Sequence, residues 1–247
     1  MDTTQRSGGE LQRFIATLFE LESELNWVKL GRHYCAEGGE DFFPPEQIEA
    51  IRDAGLRFAG DIEADLEEIV GAHTGRSLYV GAAVAELVPA LFEALVLERE
   101  VVLHNLPGAE TKELNRALAA VEARSGGSLP RVVTTPIEEL EGWFQHVWMT
   151  SVLSDPEHFP ALHNKVYERS GAKAAPGGDL GQDTQKARRL MRSVIELVRP
   201  PSLFTTSDEE ASFLIEAAKR RGMRPVKPRA ARLSAIVGDP VRLWRLF

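Results

Sequence analysis

Residues 76–108 read RSLYVGAAVAELVPALFEALVLEREVVLHNLPG. Residues 77–83 form a short apolar run of the kind that is buried on both faces when it is a strand. The run closes on a turn of small residues, Gly81, Ala82 and Ala83. Val84, Val88, Leu91, Phe92 and Leu95 then recur at helical spacing, and residues 101–105 return to strand chemistry. Pro89 interrupts the helical run, and proline is tolerated only in a helix's first turn, so this helix starts late or bends. Strand, turn, helix and second strand in this order make a parallel pair with a right-handed crossover.

Downstream, the same alternation continues. Strands are predicted over residues 131–134, 144–152 and 202–206, separated by helical stretches, one of them over residues 184–198. Asp155 and Pro156 have the chemistry of a helix start, and residues 207–210, Ser-Asp-Glu-Glu, match a capping box. Two β-rich runs, 233–237 and 241–246, flank Gly238 and Asp239 and predict a closing antiparallel hairpin. Pro225, Lys227, Pro228 and Arg229 lead into it, breakers and charges of the sort that guard a sheet edge. Residues 171–183, rich in glycine and alanine, read as a lid or a disordered loop.

Upstream, Leu11, Phe14, Ile15, Leu18, Leu21, Leu25 and Val28 give one apolar helical stripe, ended by Gly31. A second helix follows Pro44 and Pro45, with Ile48, Ile51, Gly55, Phe58, Ile62, Leu66 and Ile69 on one face. The fold class is therefore α/β: a three-layer sandwich with a mostly parallel seven-stranded sheet, a C-terminal antiparallel hairpin and an N-terminal helical extension. The expected division is a helical cap over residues 1–76, which also offers a homodimer face, and a sheet domain over residues 77–247.

Composition narrows the function classes. The chain has 247 residues, 43% hydrophobic and 27% charged, enough for a sizeable core. No apolar run reaches the length of a membrane span, and the first ten residues lack a signal-peptide core. A lone cysteine, Cys35, excludes an internal disulfide and suits a reducing cytoplasm. A net charge of −8 argues against a general nucleic-acid binder. The charge is uneven, with 16 acids and 7 bases in residues 1–76 but 6 acids and 14 bases in residues 184–247. Two differently solvated faces explain this better than an RNA-binding patch.

The order of elements over residues 77–247 resembles the class I S-adenosylmethionine-dependent methyltransferases. Their first motif, a strand ending in an acid and followed by G-x-G-x-G, is matched by YVGAAVA, with Gly81 kept and Ala83 and Ala85 in place of the other glycines. Tyr79 stands where the acid is common, Asn105 where an acid at the end of the second strand accepts the ribose hydroxyls, and Pro136 where a third acid is usual, with Glu138 and Glu139 just beyond. An amide still bonds a hydroxyl but without the strength of a charged acceptor, so Asn105→Asp would strengthen ribose binding. The resemblance implies S-adenosylmethionine as cofactor, held by Tyr79, Gly81, Ala82, Ala83, Glu86, His104, Asn105, Leu106 and Ser151, and a small-molecule or protein acceptor. Two functions stay open: a methyltransferase with a divergent donor site, and a methyltransferase-fold protein without turnover that serves as a binding or assembly module.

Other polar groups are weighed singly. Asp155 and His158 are either an acid–base pair for the acceptor or a helix cap with a surface histidine. His146 and Trp148 alternate with Val147 and Met149, the pattern of a packed strand. His33, Cys35, Glu37, Glu40 and Asp41 cluster but lack metal-ligand spacing, and no metal is expected.

Overall fold

The computed structural model describes residues 7–35, 38–71, 75–167, 175–228 and 230–247. The chain divides into two compact units, residues 1–134 with 234–238, and residues 135–233 with 239–247.

In the first unit β1 (Arg76–Val80) pairs in parallel with β2 (Glu100–His104), from Arg76 opposite Glu100 to Val80 opposite His104. β2 pairs in parallel with β3 (Val132–Val133). This register ends β1 and β2 at one level, so the turns that follow Val80 and His104 lie side by side. Leu78, Tyr79 and Leu103 are fully buried, as the continuous apolar runs require.

Among the described residues the helices that accompany these strands are α1 (Ser7–Glu24), α2 (Trp27–Tyr34), α3 (Pro45–Val70), α4 (Leu87–Leu95) and α5 (Ala109–Ser125). The apolar stripe expected as one helix breaks before Trp27. Asn26 caps α2 there, its side chain accepting from Lys29 N at 2.9 Å. Gly31 lies inside α2 and does not end it; the position needs glycine because a Cβ there would meet Gly39 O at 2.0 Å. A short 3-10 turn, Val84–Glu86, precedes α4, so Pro89 falls in the first turn of α4. Phe14 of α1 meets Phe92 of α4 edge-on at 5.5 Å between ring centroids. Phe58, Ile62 and Leu66 bury the inner stripe of α3.

In the second unit β4 (Phe144–Met149) pairs in parallel with β5 (Val198–Ser207), and β5 pairs antiparallel with β8 (Pro240–Leu246). β8 also takes β7 (Arg232–Leu233) and β6 (Pro225–Val226), both antiparallel. The closing hairpin is present, but its first arm lies over residues 232–233 and not 233–237. Leu233 and Val237 are more than half exposed, and residues 235–237 form a turn, which ends the arm after Leu233. β4 stops at Met149 because Ser151 turns the chain at φ +59°.

Among the described residues this unit also has the helices α6 (Pro160–Tyr167), α7 (Leu180–Glu196) and α8 (Ala211–Arg220). α6 begins at Pro160 and not at Asp155, whose carboxylate closes a tight turn onto Glu157 N and His158 N. α7 begins four residues earlier than the expected Thr184, with Asp179 accepting from Gln182 N at 2.8 Å. Residues 180–183 are therefore helical, and residues 171–174 of the expected lid lie outside the described residues. The chain is α/β, with mostly parallel pairing and a C-terminal antiparallel strand pair. Among the described residues no helix is long and apolar enough to cross a membrane.

Candidate functional site

Two loop ends meet above β1 and β2. Gly81 follows Val80 with φ +72°, a conformation that a residue without Cβ adopts freely. Ala82, fully buried, donates its N–H to His104 O at 2.8 Å. Ala83 donates its N–H to Glu86 Oε2 at 3.0 Å, so the Glu86 carboxylate closes the turn onto the following helix. Asn105 bridges the two loops: its Nδ2 donates to Ala82 O at 3.0 Å, and its Oδ1 accepts from Leu106 N at 2.7 Å. The Leu106 side chain is half exposed, and its backbone oxygen accepts from Thr111 Oγ1. His104 is buried as the last residue of β2.

Asn105 is thus a brace with both ends of its amide engaged. An aspartate in its place would lose the donor to Ala82 O. It would also set a second carboxylate beside Glu110, whose Oε2 lies 3.4 Å from Asn105 Nδ2. Asn105→Asp would therefore carry a cost that the sequence alone does not show.

Beneath the turn, Tyr79 is fully buried and its hydroxyl donates to Glu93 Oε1 on α4. Ser77 Oγ donates to the other carboxylate oxygen, and Arg99 Nε lies 3.0 Å from that same Glu93 Oε2. Arg99 also donates to Arg76 O at 2.9 Å. Burial first, then the Glu93 carboxylate, hold the Tyr79 pKa well above the ordinary tyrosine value. Tyr79 therefore ties β1 to α4 beneath the loop ends.

The N-terminal helices reach the same loops. Tyr34, the last residue of α2, donates its hydroxyl to Glu110 Oε1 at 2.8 Å, and His33 Nε2 lies 3.8 Å from Glu110 Oε2. At the other end of α2, Asn26 N and Lys29 Nζ both donate to the Glu113 carboxylate, each at 3.1 Å. The Tyr34 ring stacks on Phe42 at 5.4 Å between ring centroids. Burial, then the Glu110 carboxylate, push the Tyr34 pKa well above its ordinary value.

Ser151 belongs to the second unit. Its backbone N–H and that of Leu153 donate to the two oxygens of the Glu210 carboxylate, at 3.1 and 2.7 Å. Thr206 Oγ1 and Ser207 Oγ donate to the same carboxylate. The expected capping-box glutamate thus faces the turn after β4. Burial pushes the pKa of Glu210 up to about 7 despite these donors. Ser151 Oγ and Tyr167 OH both donate to Asp239 Oδ2, at 3.0 and 2.7 Å. His158 and Asp155 form an exposed pair, Nδ1 to Oδ1 at 2.8 Å. His146, fully buried, bonds Thr205 Oγ1 across β4 and β5. Among the described residues no group of three His, Cys, Asp or Glu side chains could hold a metal ion, and Glu37 lies outside those residues.

The groups that sequence reasoning missed are Tyr34, Glu110, Glu93, Arg99 and Tyr167. Each acts through a partner brought close by the fold, and no local motif marks any of them.

The sequence matches no protein-family model and no curated protein sequence. A solved structure shares the fold. The magnesium protoporphyrin IX methyltransferase of Synechocystis PCC 6803, solved with S-adenosylmethionine bound, superposes at 12% identity with a TM-score of 0.51, over 87% of this chain and 94% of its own. The precorrin-6y C5,15-methyltransferase of Geobacter metallireducens GS-15 is 9% identical over 70% of this chain and 80% of its own, with a TM-score of 0.41.

Proposed function

We propose, from the class I S-adenosylmethionine-dependent methyltransferase fold that this chain has, that it binds an S-adenosyl ligand on the Gly81 turn and transfers a methyl group to a small molecule or a protein side chain. One observation carries the reading. β1 and β2 end level, and between them Gly81 holds φ +72° with its following peptides fixed by His104 O and Glu86. Gly81 thus presents backbone without a Cβ, which a ligand can approach closely.

The residues fit such a ligand. Gly81, Ala82 and Ala83 supply small, fixed backbone, and a buried carboxylate stands beside Asn105 as an acceptor for hydroxyls. Leu106, half exposed, offers an apolar face beside the β2 turn. S-adenosylmethionine, when bound, supplies an electrophilic methyl group. The chain's own task is then to hold the donor and the acceptor in line, and proximity accounts for most of the rate in such a transfer. In this reading residues 1–76 are a helical cap and residues 77–247 the methyltransferase-fold domain. The exposed Leu11, Phe19 and Val28 of the cap support a homodimer face.

A second reading, a binding or assembly module without turnover, is favoured by the fact that Tyr79, Glu86 and Asn105 are already hydrogen-bonded within the chain. Thermal unfolding separates the two. A ligand at a hundred times its Kd stabilises the folded state by about 2.7 kcal/mol, a rise of roughly 5–10 °C for a chain of this size. S-adenosylmethionine and S-adenosylhomocysteine at millimolar concentration should raise the melting temperature by several degrees, while ATP does not. No shift with either adenosyl compound would favour the module.

A further inference from the structure

We propose that the second unit binds single-stranded nucleic acid along the sheet edge where β4 and β5 begin, with Trp143 and Phe247 stacking on bases and Arg199 and Arg224 holding phosphates. All four residues belong to that unit. The proposal does not depend on methyl transfer.

The sheet brings them to one edge. The strands lie in the order β4, β5, β8, β6, and β8, which runs against the others, ends at the edge where they begin. Trp143 directly precedes β4, which opens with Phe144 opposite Val198, and Arg199 follows Val198. Phe247 directly follows β8 and exchanges both backbone hydrogen bonds with Arg224, at 2.7 and 3.2 Å. β4 and β8 flank β5, so the two aromatic residues stand two strand spacings apart, about 10 Å.

Each ring is paired with a guanidinium. Arg199 Cζ lies 5.3 Å from the Trp143 ring centroid, and Arg224 Cζ lies 5.3 Å from that of Phe247. The guanidinium covers one face of each ring. Trp143 is still 56% exposed and Phe247 41%, so ring surface remains on which a base can stack. An arginine stacked in this way keeps its rim of donors, which match phosphate oxygens.

Charge selects the partner. Residues 184–247 carry 14 bases and 6 acids. Arg192, Arg199, Lys219 and Arg224 are exposed and make no ion pair among the described residues. Arg192 stands near the end of α7 and Lys219 in the last turn of α8, and these helices end shortly before β5 and β6 begin. The acids on the same two helices are engaged, Glu196 by Arg221 and Glu216 by Arg188 and Arg220. Glu138, Glu139 and Glu141 precede Trp143 in the chain and temper the positive field. Helix C-termini favour cations without any ligand. That preference does not account for two exposed rings, each faced by an arginine. A net charge of −8 opposes nucleic acid over the whole surface, not along one strip of it. An acidic peptide would satisfy the arginines alone, whereas a strand of bases and phosphates satisfies arginines and rings together.

Fluorescence anisotropy of a short labelled oligouridine titrated with the full chain tests this. The oligonucleotide should bind at low salt, and log K should fall against log salt with a slope of about −3, four phosphates at about 0.7 each. Trp143→Ala should weaken binding about tenfold, and Trp143→Phe should retain most of it. Arg199→Gln combined with Arg224→Gln should roughly halve the slope. Polyglutamate and phosphatidylserine vesicles should bind at least tenfold more weakly than oligouridine, since neither supplies bases to stack. The proposal is overturned by absent oligouridine binding, by an affinity indifferent to Trp143→Ala, by an unchanged slope in the double variant, or by equal binding of polyglutamate or the vesicles. The salt slope and the comparison of ligands need no variant, so they hold whatever the substitutions do to folding.

Discussion

Replacing Arg99 with methionine should lower the free energy of unfolding by about 3–5 kcal/mol. The side chains of Arg99 and Glu93 are both completely buried, with Arg99 Nε 3.0 Å from Glu93 Oε2. Arg99 also bonds Ser77 Oγ at 2.8 Å and Arg76 O at 2.9 Å. Methionine fills much of the volume but supplies neither charge nor donors. The Glu93 carboxylate would then be left in the interior without its cation, which is far costlier than the loss of a surface pair. The effect should reach the candidate site, because this cluster fastens β1, α4 and the start of β2 beneath the Gly81 turn. Arg99→Lys, which keeps the charge but not the forked geometry, should fall between the two. Urea unfolding measures the difference directly, and a loss below 1 kcal/mol for Arg99→Met would show that the pair carries little of the fold.

Glu210→Ala should destabilise the chain by about 3 kcal/mol near pH 5, and by less as the pH rises. Its carboxylate receives the Ser151 and Leu153 N–H groups and the Thr206 and Ser207 hydroxyls, and alanine leaves these buried donors without that acceptor. The pH dependence follows from the carboxyl group's own titration. Its pKa is raised from 4.5 to about 7 in the folded chain. Between those values the folded state holds a proton that the unfolded state has released. The group's contribution is therefore fully present below about pH 4.5, declines as pH rises, and is lost above about pH 7. The change is roughly 3 kcal/mol from one end of the window to the other. The variant lacks this term, so the gap between it and the unmutated chain should narrow from pH 5 to pH 8. Urea titrations of both proteins at the two pH values check the sign, and a gap that widens with pH would contradict it.

The elements that position the site were legible because each leaves a local trace. β1 and the end of β2 are buried and read as apolar runs, and the small-residue turn between Val80 and Val84 is visible as composition. Pro89 signals that α4 starts late or bends, and it starts at Leu87. The Gly238–Asp239 turn marks the final hairpin. What escaped has no local trace. Asn26 ends α1 and caps α2, but the apolar stripe runs straight across it. The two-residue β6 contains a proline, which an edge strand tolerates and which reads as a breaker.

At the site itself, the residue at the end of β2 was legible as an amide, yet its engagement with Ala82 O depends on the meeting of two loops. Tyr34 and Glu110 lie 76 positions apart. Glu210 serves backbone groups 57 and 59 positions away. Such partners are set by packing, and periodicity carries no information about them.

A crystal structure of the chain grown with saturating S-adenosylhomocysteine tests the central claim most directly. The predicted result is an adenosyl group lying along Gly81, Ala82 and Ala83. A ligand bound elsewhere, or no ligand at all, would contradict it.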